Sequence, residues 1–251
     1  MLDNSLGCFY LRGHISSQFR NGSSAFDYVE DVVGWPRYLI LGDSISRATF
    51  MHKKSLYREY QVNRHFAPEN CGGFSNYNKR LHLWLGECPW DIIQFNVGAH
   101  FHVGKKKVNG SFVEKDKTIS TYTRELLQVL NTLRVHSPQA RIIFALTTPT
   151  PFDSIETTPN RKACKNYDAF APAGYVAMLN DIARNALEPM NVTISDRYEA
   201  VRPNLVKHQN FCDVHFKQTG YSILAETDFK VFREIIGKRP RLAATSQLSL
   251  W

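Results

Sequence analysis

The run Arg37-Tyr-Leu-Ile-Leu-Gly-Asp-Ser44 limits what this chain can fold into more than any other stretch. It is short, apolar on both alternating faces, and stopped by a glycine. A strand buried between two layers reads this way. The residues after it, Ile45 to Tyr57, have helical composition, so a first helix is expected to about Tyr60. In open α/β sheets, ligands gather where strand carboxyl ends meet helix amino ends. Ser44 stands at such a junction, with its hydroxyl exposed and its N–H directed at a developing anion. It qualifies as a nucleophile only if a histidine base and an orienting carboxylate can reach it. Without them, three turn residues after a strand are a plain helix cap.

The same alternation continues along the chain. Strands are predicted over 61–66, 90–98, 141–148 and 192–196. Helices are predicted over 74–85, 118–136, from about 173 to 187, and 220–236, each with an amphipathic pattern. The polar, Lys/Gly-rich stretch 103–117 reads as an exposed loop or hairpin, and the Pro-rich stretch 149–165 as a long loop. Strands alternating with helices call for a parallel sheet covered on both faces. The fold class is therefore α/β, in one domain over 37–237. Residues 1–36 form an irregular arm packed on it, and 238–251 a loose tail.

Composition removes several function classes. At 251 residues and 43% apolar, the chain can bury a substantial core. No apolar run approaches ~20 residues, so no membrane span is expected. The amino terminus lacks a basic start followed by an apolar stretch, so it does not read as a signal peptide. The compartment and the oligomeric state are left open. The net charge is +8, but Lys and Arg are scattered apart from Lys105-Lys-Lys107 and Lys238-Arg-Pro-Arg241. No nucleic-acid module pattern is present, so the charge reads as a solvated basic surface. The cysteines (Cys8, Cys71, Cys88, Cys164, Cys212) match no zinc spacing, and neither metal nor organic cofactor is expected. A Cys71–Cys88 disulfide is one conceivable pairing. Sequons at Asn21, Asn109 and Asn191 do not settle the compartment.

Four segments fall at strand carboxyl ends or on return loops: Gly42-Asp-Ser44, Asn70-Cys-Gly-Gly73, Asn96-Val-Gly-Ala-His100 and Asp213-Val-His215. In order they offer a hydroxyl, flexible backbone donors, an amide with an imidazole, and an Asp/His pair. Acyl transfer needs a nucleophile, a base, an orienter and oxyanion donors. Asp43 and Asp196 read as turn-capping residues. Trp84 and Trp90 read as core aromatics. Thr147 and Thr148 close a strand where they can line a pocket or serve only the fold.

On these segments the chain resembles the SGNH (GDSL-type) hydrolase superfamily of esterases and lipases. Gly42-Asp-Ser-Ile-Ser46 is similar to its first block, Asn70-Cys-Gly72 to its second, and Asn96-Val-Gly-Ala-His100 to an N-x-G-x-H version of its third. Asp213-Val-His-Phe216 with Gly220-Tyr221 resembles a later segment of one subgroup. The resemblance spans about residues 37–236. It implies a three-layer α/β/α sandwich with a five-stranded parallel sheet, the flavodoxin-like SGNH hydrolase fold. It also implies Ser44 as nucleophile, His215 as base and then acid, and Asp213 as orienter. The N–H groups of Ser44 and Gly72 would be oxyanion donors.

Two departures bear on the site. The superfamily's usual third donor is an Asn two residues after the glycine of the third block. Here that slot holds His100, and Asn96 lies earlier; either could donate. The dyad spacing is Asp213-x-His215 rather than Asp-x-x-His. The expected activity is hydrolysis of a small-molecule or carbohydrate ester, acetyl or short acyl. The alternatives are an O-acyltransferase acting on a sugar hydroxyl and a non-catalytic carbohydrate-binding relative.

Overall fold

The computed structural model describes residues 31–52, 54–67, 73–99, 101, 105–108, 111–114, 119–154, 164 and 173–237. The arm before residue 31, the tail after residue 237, and the positions Cys71, Gly72 and His100 lie outside them. Strands β1 (Arg37–Leu41), β2 (Asn63–Phe66) and β3 (Ile92–Phe95) precede a β4–β5 hairpin (Lys105–Val108, Ser111–Glu114). Strands β6 (Arg141–Ala145) and β7 (Thr193–Ser195) complete the set. The main sheet has the order β2-β1-β3-β6-β7, and its neighbouring strands pair in parallel. This is the doubly wound arrangement expected from the strand–helix alternation, with a switch point between β1 and β3.

The pleat divides the core into two layers. Tyr38 and Ile40 of β1, with Ile92 and Ile143, meet Phe50, Tyr57, Phe229 and Phe232 on one face. These come from α1 (Ser44–Met51), α2 (Lys54–Glu59) and α8 (Gln218–Ile236). Leu39, Leu41, Ile93, Phe95 and Phe144 meet Tyr77, Trp84, Leu126, Leu130 and Leu179 on the other. These belong to α3 (Phe74–Leu85), α4 (Ile119–His136) and α5 (Tyr175–Leu187). Successive side chains of a strand point to opposite faces, so each strand feeds both layers. Such a strand has no polar face, and the β1 sequence has none.

The expected first helix does not run to Tyr60. It ends at Met51, where His52 turns to extended backbone (φ −80°, ψ 152°) and its N–H donates to Thr49 O. A separate helix, α2, follows. The strand before Phe66 starts at Asn63 rather than at 61, because Gln61 takes a left-handed backbone (φ +52°). The stretch 103–117 contains the antiparallel hairpin. Asn109-Gly110, which separates its strands in sequence, is a pair that two-residue hairpin connections favour. Two short helices, α6 (Arg197–Val201) and α7 (Leu205–His208), occupy a stretch with no predicted element.

Candidate active site

Ser44 is the first residue of α1, directly past the carboxyl end of β1. Asp43 caps that helix: its carboxylate accepts the N–H groups of Ile45 and Ser46 at 3.1 Å each. A helix start leaves its first N–H groups without internal partners. The cap takes the second and third, and no described residue accepts a hydrogen bond from the Ser44 N–H. The expectation that Asp43 serves a turn is met. Gly42 permits the tightness of this corner: a Cβ there would stand 2.3 Å from the Ser46 Cβ. Gly98 is constrained similarly, since a Cβ would stand 2.1 Å from Thr147 Oγ1.

His215 and Asp213 reach Ser44 from a loop between α7 and α8. Ser44 Oγ and His215 Nε2 are 2.9 Å apart. His215 Nδ1 and Asp213 Oδ1 are 2.8 Å apart, and the same oxygen accepts the His215 N–H at 3.1 Å. A carboxylate facing Nδ1 requires a proton on that nitrogen, which leaves Nε2 to accept the Ser44 hydroxyl. The Asp213-x-His215 spacing, one residue shorter than Asp-x-x-His, therefore still closes the contact. Burial alone would raise the Asp213 carboxyl, but the His215 N–H, the imidazole and the Val214 N–H outweigh it and hold the carboxyl below its ordinary value.

The two halves of the site share one apolar cluster. Ile45 follows Ser44, Phe216 follows His215, and both are buried with Val201, Leu205 and Leu224. The loop is closed by an antiparallel bridge between Gln209 and Phe216. Asn210 N–H donates to His215 O (3.0 Å) and Asp213 N–H to Asn210 O (3.3 Å). Gln209 Nε2 donates to Pro149 O at 2.9 Å. A disulfide joins Cys212, the residue before Asp213, to Cys164. Sequence reasoning did not find this pairing, because cysteine spacing alone cannot give connectivity. Cys88 is also disulfide-bonded, and the described residues do not include its partner.

Asn96 lies at the end of β3 and is buried. Its Nδ2 donates to Ala145 O at 2.6 Å and to Thr147 Oγ1 at 3.4 Å, so both amide protons are engaged at the end of β6. Gly72 and His100 lie outside the described residues. Behind Asp43 and Ile45 the packing leaves a small gap, too tight to hold a water, bounded by Asn96, Thr147, Thr148 and Arg197, with Ala99 and Leu146. Thr147 and Thr148 are both buried.

Beneath Ser44 lies a buried polar network that sequence reasoning missed. Arg197 grips Asp228 through Nε–Oδ1 (3.0 Å) and Nη2–Oδ2 (2.6 Å). Its Nη1 donates to Ser46 Oγ at 2.9 Å. Asp228 also accepts Ser195 Oγ–H (2.8 Å) and Gln94 Nε2–H (2.9 Å), and Tyr38 donates to Gln94 Oε1 (2.5 Å). Burial works against the Asp228 charge, but Arg197, Gln94 and Ser195 outweigh it and hold the carboxyl below its ordinary value. Two signals were present in the sequence. Gln94 interrupts the apolar run Ile92-Ile-Gln-Phe95, and Asp228 interrupts the apolar stripe Leu224-Ala225-Phe229-Phe232. A lone polar residue on an apolar face needs a buried partner.

No protein-family model matches this chain, and no curated protein matches it in sequence. Solved structures do. A family 3 carbohydrate esterase from Talaromyces cellulolyticus is similar at a TM-score of 0.56 and 15% identity, over 80% of this chain and 98% of that one. An acetyl xylan esterase from Geobacillus stearothermophilus is similar at 0.52 and 14%, over 80% and 94%. A GDSL-like lipase from Bacteroides thetaiotaomicron is similar at 0.53 and 11%, over 80% and 89%. At these identities what is shared is the fold, a five-stranded parallel sheet with helices on both faces.

Proposed function

We propose that this protein is an SGNH-type serine esterase that hydrolyses an acetyl or short acyl ester of a carbohydrate through an acyl–Ser44 intermediate. The observation that carries the reading is the line of contacts Ser44 Oγ–His215 Nε2–Asp213, at 2.9 and 2.8 Å. His215 Nε2 takes the hydroxyl proton as Ser44 Oγ bonds to the ester carbon, and the carbonyl electron pair moves onto its oxygen. That oxyanion meets the Ser44 N–H, which the Asp43 cap leaves open, and, on the resemblance, the Gly72 N–H. Collapse expels the alcohol, which takes the proton back from His215. Water then repeats the sequence and frees the acid. Asp213 holds the tautomer throughout and stabilises the imidazolium.

Since both Asn96 amide protons are engaged at β6, we assign the third donor to the His100 imidazole, in the slot two residues after Gly98. His100→Ala should lower kcat by about 10²–10³-fold, as loss of one oxyanion donor does. Esterase structures among the similar folds support the choice of reaction, and carbohydrate esterases among them support the choice of alcohol. The test is a fluorophosphonate probe together with an aryl-acetate assay. Wild type should label at Ser44 and turn over the ester, while Ser44→Ala and His215→Ala should do neither. A folded wild-type protein that neither labels nor hydrolyses would refute the reading.

A further inference from the structure

The turn that carries the base also carries an aromatic ring with no place in the core. Phe211 is 75% exposed, two residues before Asp213. Leaving it in water forgoes the gain of burying a large apolar ring. A single exposed aromatic is ordinary on a surface; its setting is not. Asn210, its neighbour, donates its N–H to the His215 carbonyl, so the Phe211 backbone is one residue from a group bonded to the base. Cys212, its other neighbour, is tied to Cys164 and held in a left-handed backbone (φ +53°) that non-glycine residues seldom adopt. The ring therefore stands on a turn fixed in advance, and stacking a ligand on it costs little ordering entropy.

Its surroundings select the ligand. Asn210 and the half-exposed Asp213 carboxylate share the turn with Phe211. A pyranose fits this setting: one face is a plate of C–H groups that lies on an aromatic ring, and its rim of hydroxyls meets polar neighbours. We propose that Phe211 is a binding subsite for the sugar ring that carries the ester, stacking on its C–H face while the acyl carbon lies at Ser44. The proposal rests on the esterase reading above.

The experiment compares an O-acetylated methyl pyranoside with ethyl acetate, which has no ring to stack. The readout is the ratio of kcat/KM for the sugar ester to that for ethyl acetate. Phe211→Ala should lower this ratio by about tenfold, the size of one lost aromatic contact, mainly through KM. Phe211→Trp should restore it. A ratio unchanged in Phe211→Ala would overturn the subsite, even with the esterase reading intact. If wild type hydrolysed neither ester, the esterase reading would fail, and the subsite would be decided by binding. Ser44→Ala protein is then titrated calorimetrically with the acetylated pyranoside. About tenfold weaker binding on adding Phe211→Ala would support the subsite, and no binding, or binding that ignores Phe211, would overturn it.

Discussion

The proposed nucleophile and its proposed base are held in opposite ways. Ser44 sits at a strand–helix corner with the buried Asp43 cap beside it and a buried ion pair below. His215 and Asp213 sit on an irregular loop, with side chains 41% and 43% exposed. The sheet supports the first. Turn hydrogen bonds, one β-bridge, one disulfide and the Phe216 anchor support the second. The fold thus fixes the Ser44 hydroxyl, and local devices bring the imidazole to it. Loss of the ion pair below Ser44 should appear chiefly as lost stability, and loss of the Asp213 contact chiefly as lost rate.

The sharpest check is the dyad itself. Ser44→Ala and His215→Ala should each lower kcat by about 10⁶-fold, because a nucleophile and its base act as one unit, with the far-UV spectrum unchanged. Unequal losses would mean that the two regions do not work together. Next, Asp213→Ala should lower kcat by about 10²–10⁴-fold. It should shift the denaturant midpoint little, since exposed ion pairs contribute ~0–1 kcal/mol. Asp228→Ala should do the reverse in kind, costing about 3–5 kcal/mol in urea titration, because it strands Arg197 as a buried unpaired cation. A silent Asp228→Ala would break the contrast. Smaller again, Cys164→Ser should cost about 2–4 kcal/mol of stability and should slow turnover through the displaced base, by up to about 10²-fold if the displacement approaches 1 Å.

The smallest effect is in pH. Asp228 has a folded pKa below its unfolded value. The stability it lends is complete above about pH 4 and is lost as pH falls through the lower, folded value. Unfolding titrations at pH 5 and pH 3 should therefore show a drop in wild type that Asp228→Asn flattens. Equal drops would remove Asp228 from the acid response.

Legibility in the sequence followed the same division. Strands β1, β3 and β6 were readable because a strand buried on both faces is largely apolar, as Leu39–Leu41, Ile92-Ile93 and Ile142–Ala145 are; β2, with Asn63, Arg64 and His65, was placed by the strand–helix alternation instead. Ser44, His215 and Asp213 were readable because a hydroxyl, an imidazole and a carboxylate fall in short segments at a strand end or on a return loop, where the resemblance also places them. The Arg197–Asp228 pair joins residues of two helices across the fold, and pattern along one helix cannot name a partner on another. The α6 and α7 helices are too short for helical periodicity to register. The break after Met51 carries no Gly or Pro to announce it. Asn96 looked like a free donor until its partners at β6 were visible.

The Cys164–Cys212 link gives the half of the candidate site that carries His215 and Asp213 a dependence on redox conditions. A preparation kept in strong thiol reductant would retain its hydrophobic layers and its serine corner while the imidazole lost its covalent anchor. Such material would look native by most spectroscopic criteria and still underperform. Low activity from a reducing expression host should therefore be checked against the oxidation state of its cysteines before it is ascribed to the wrong substrate.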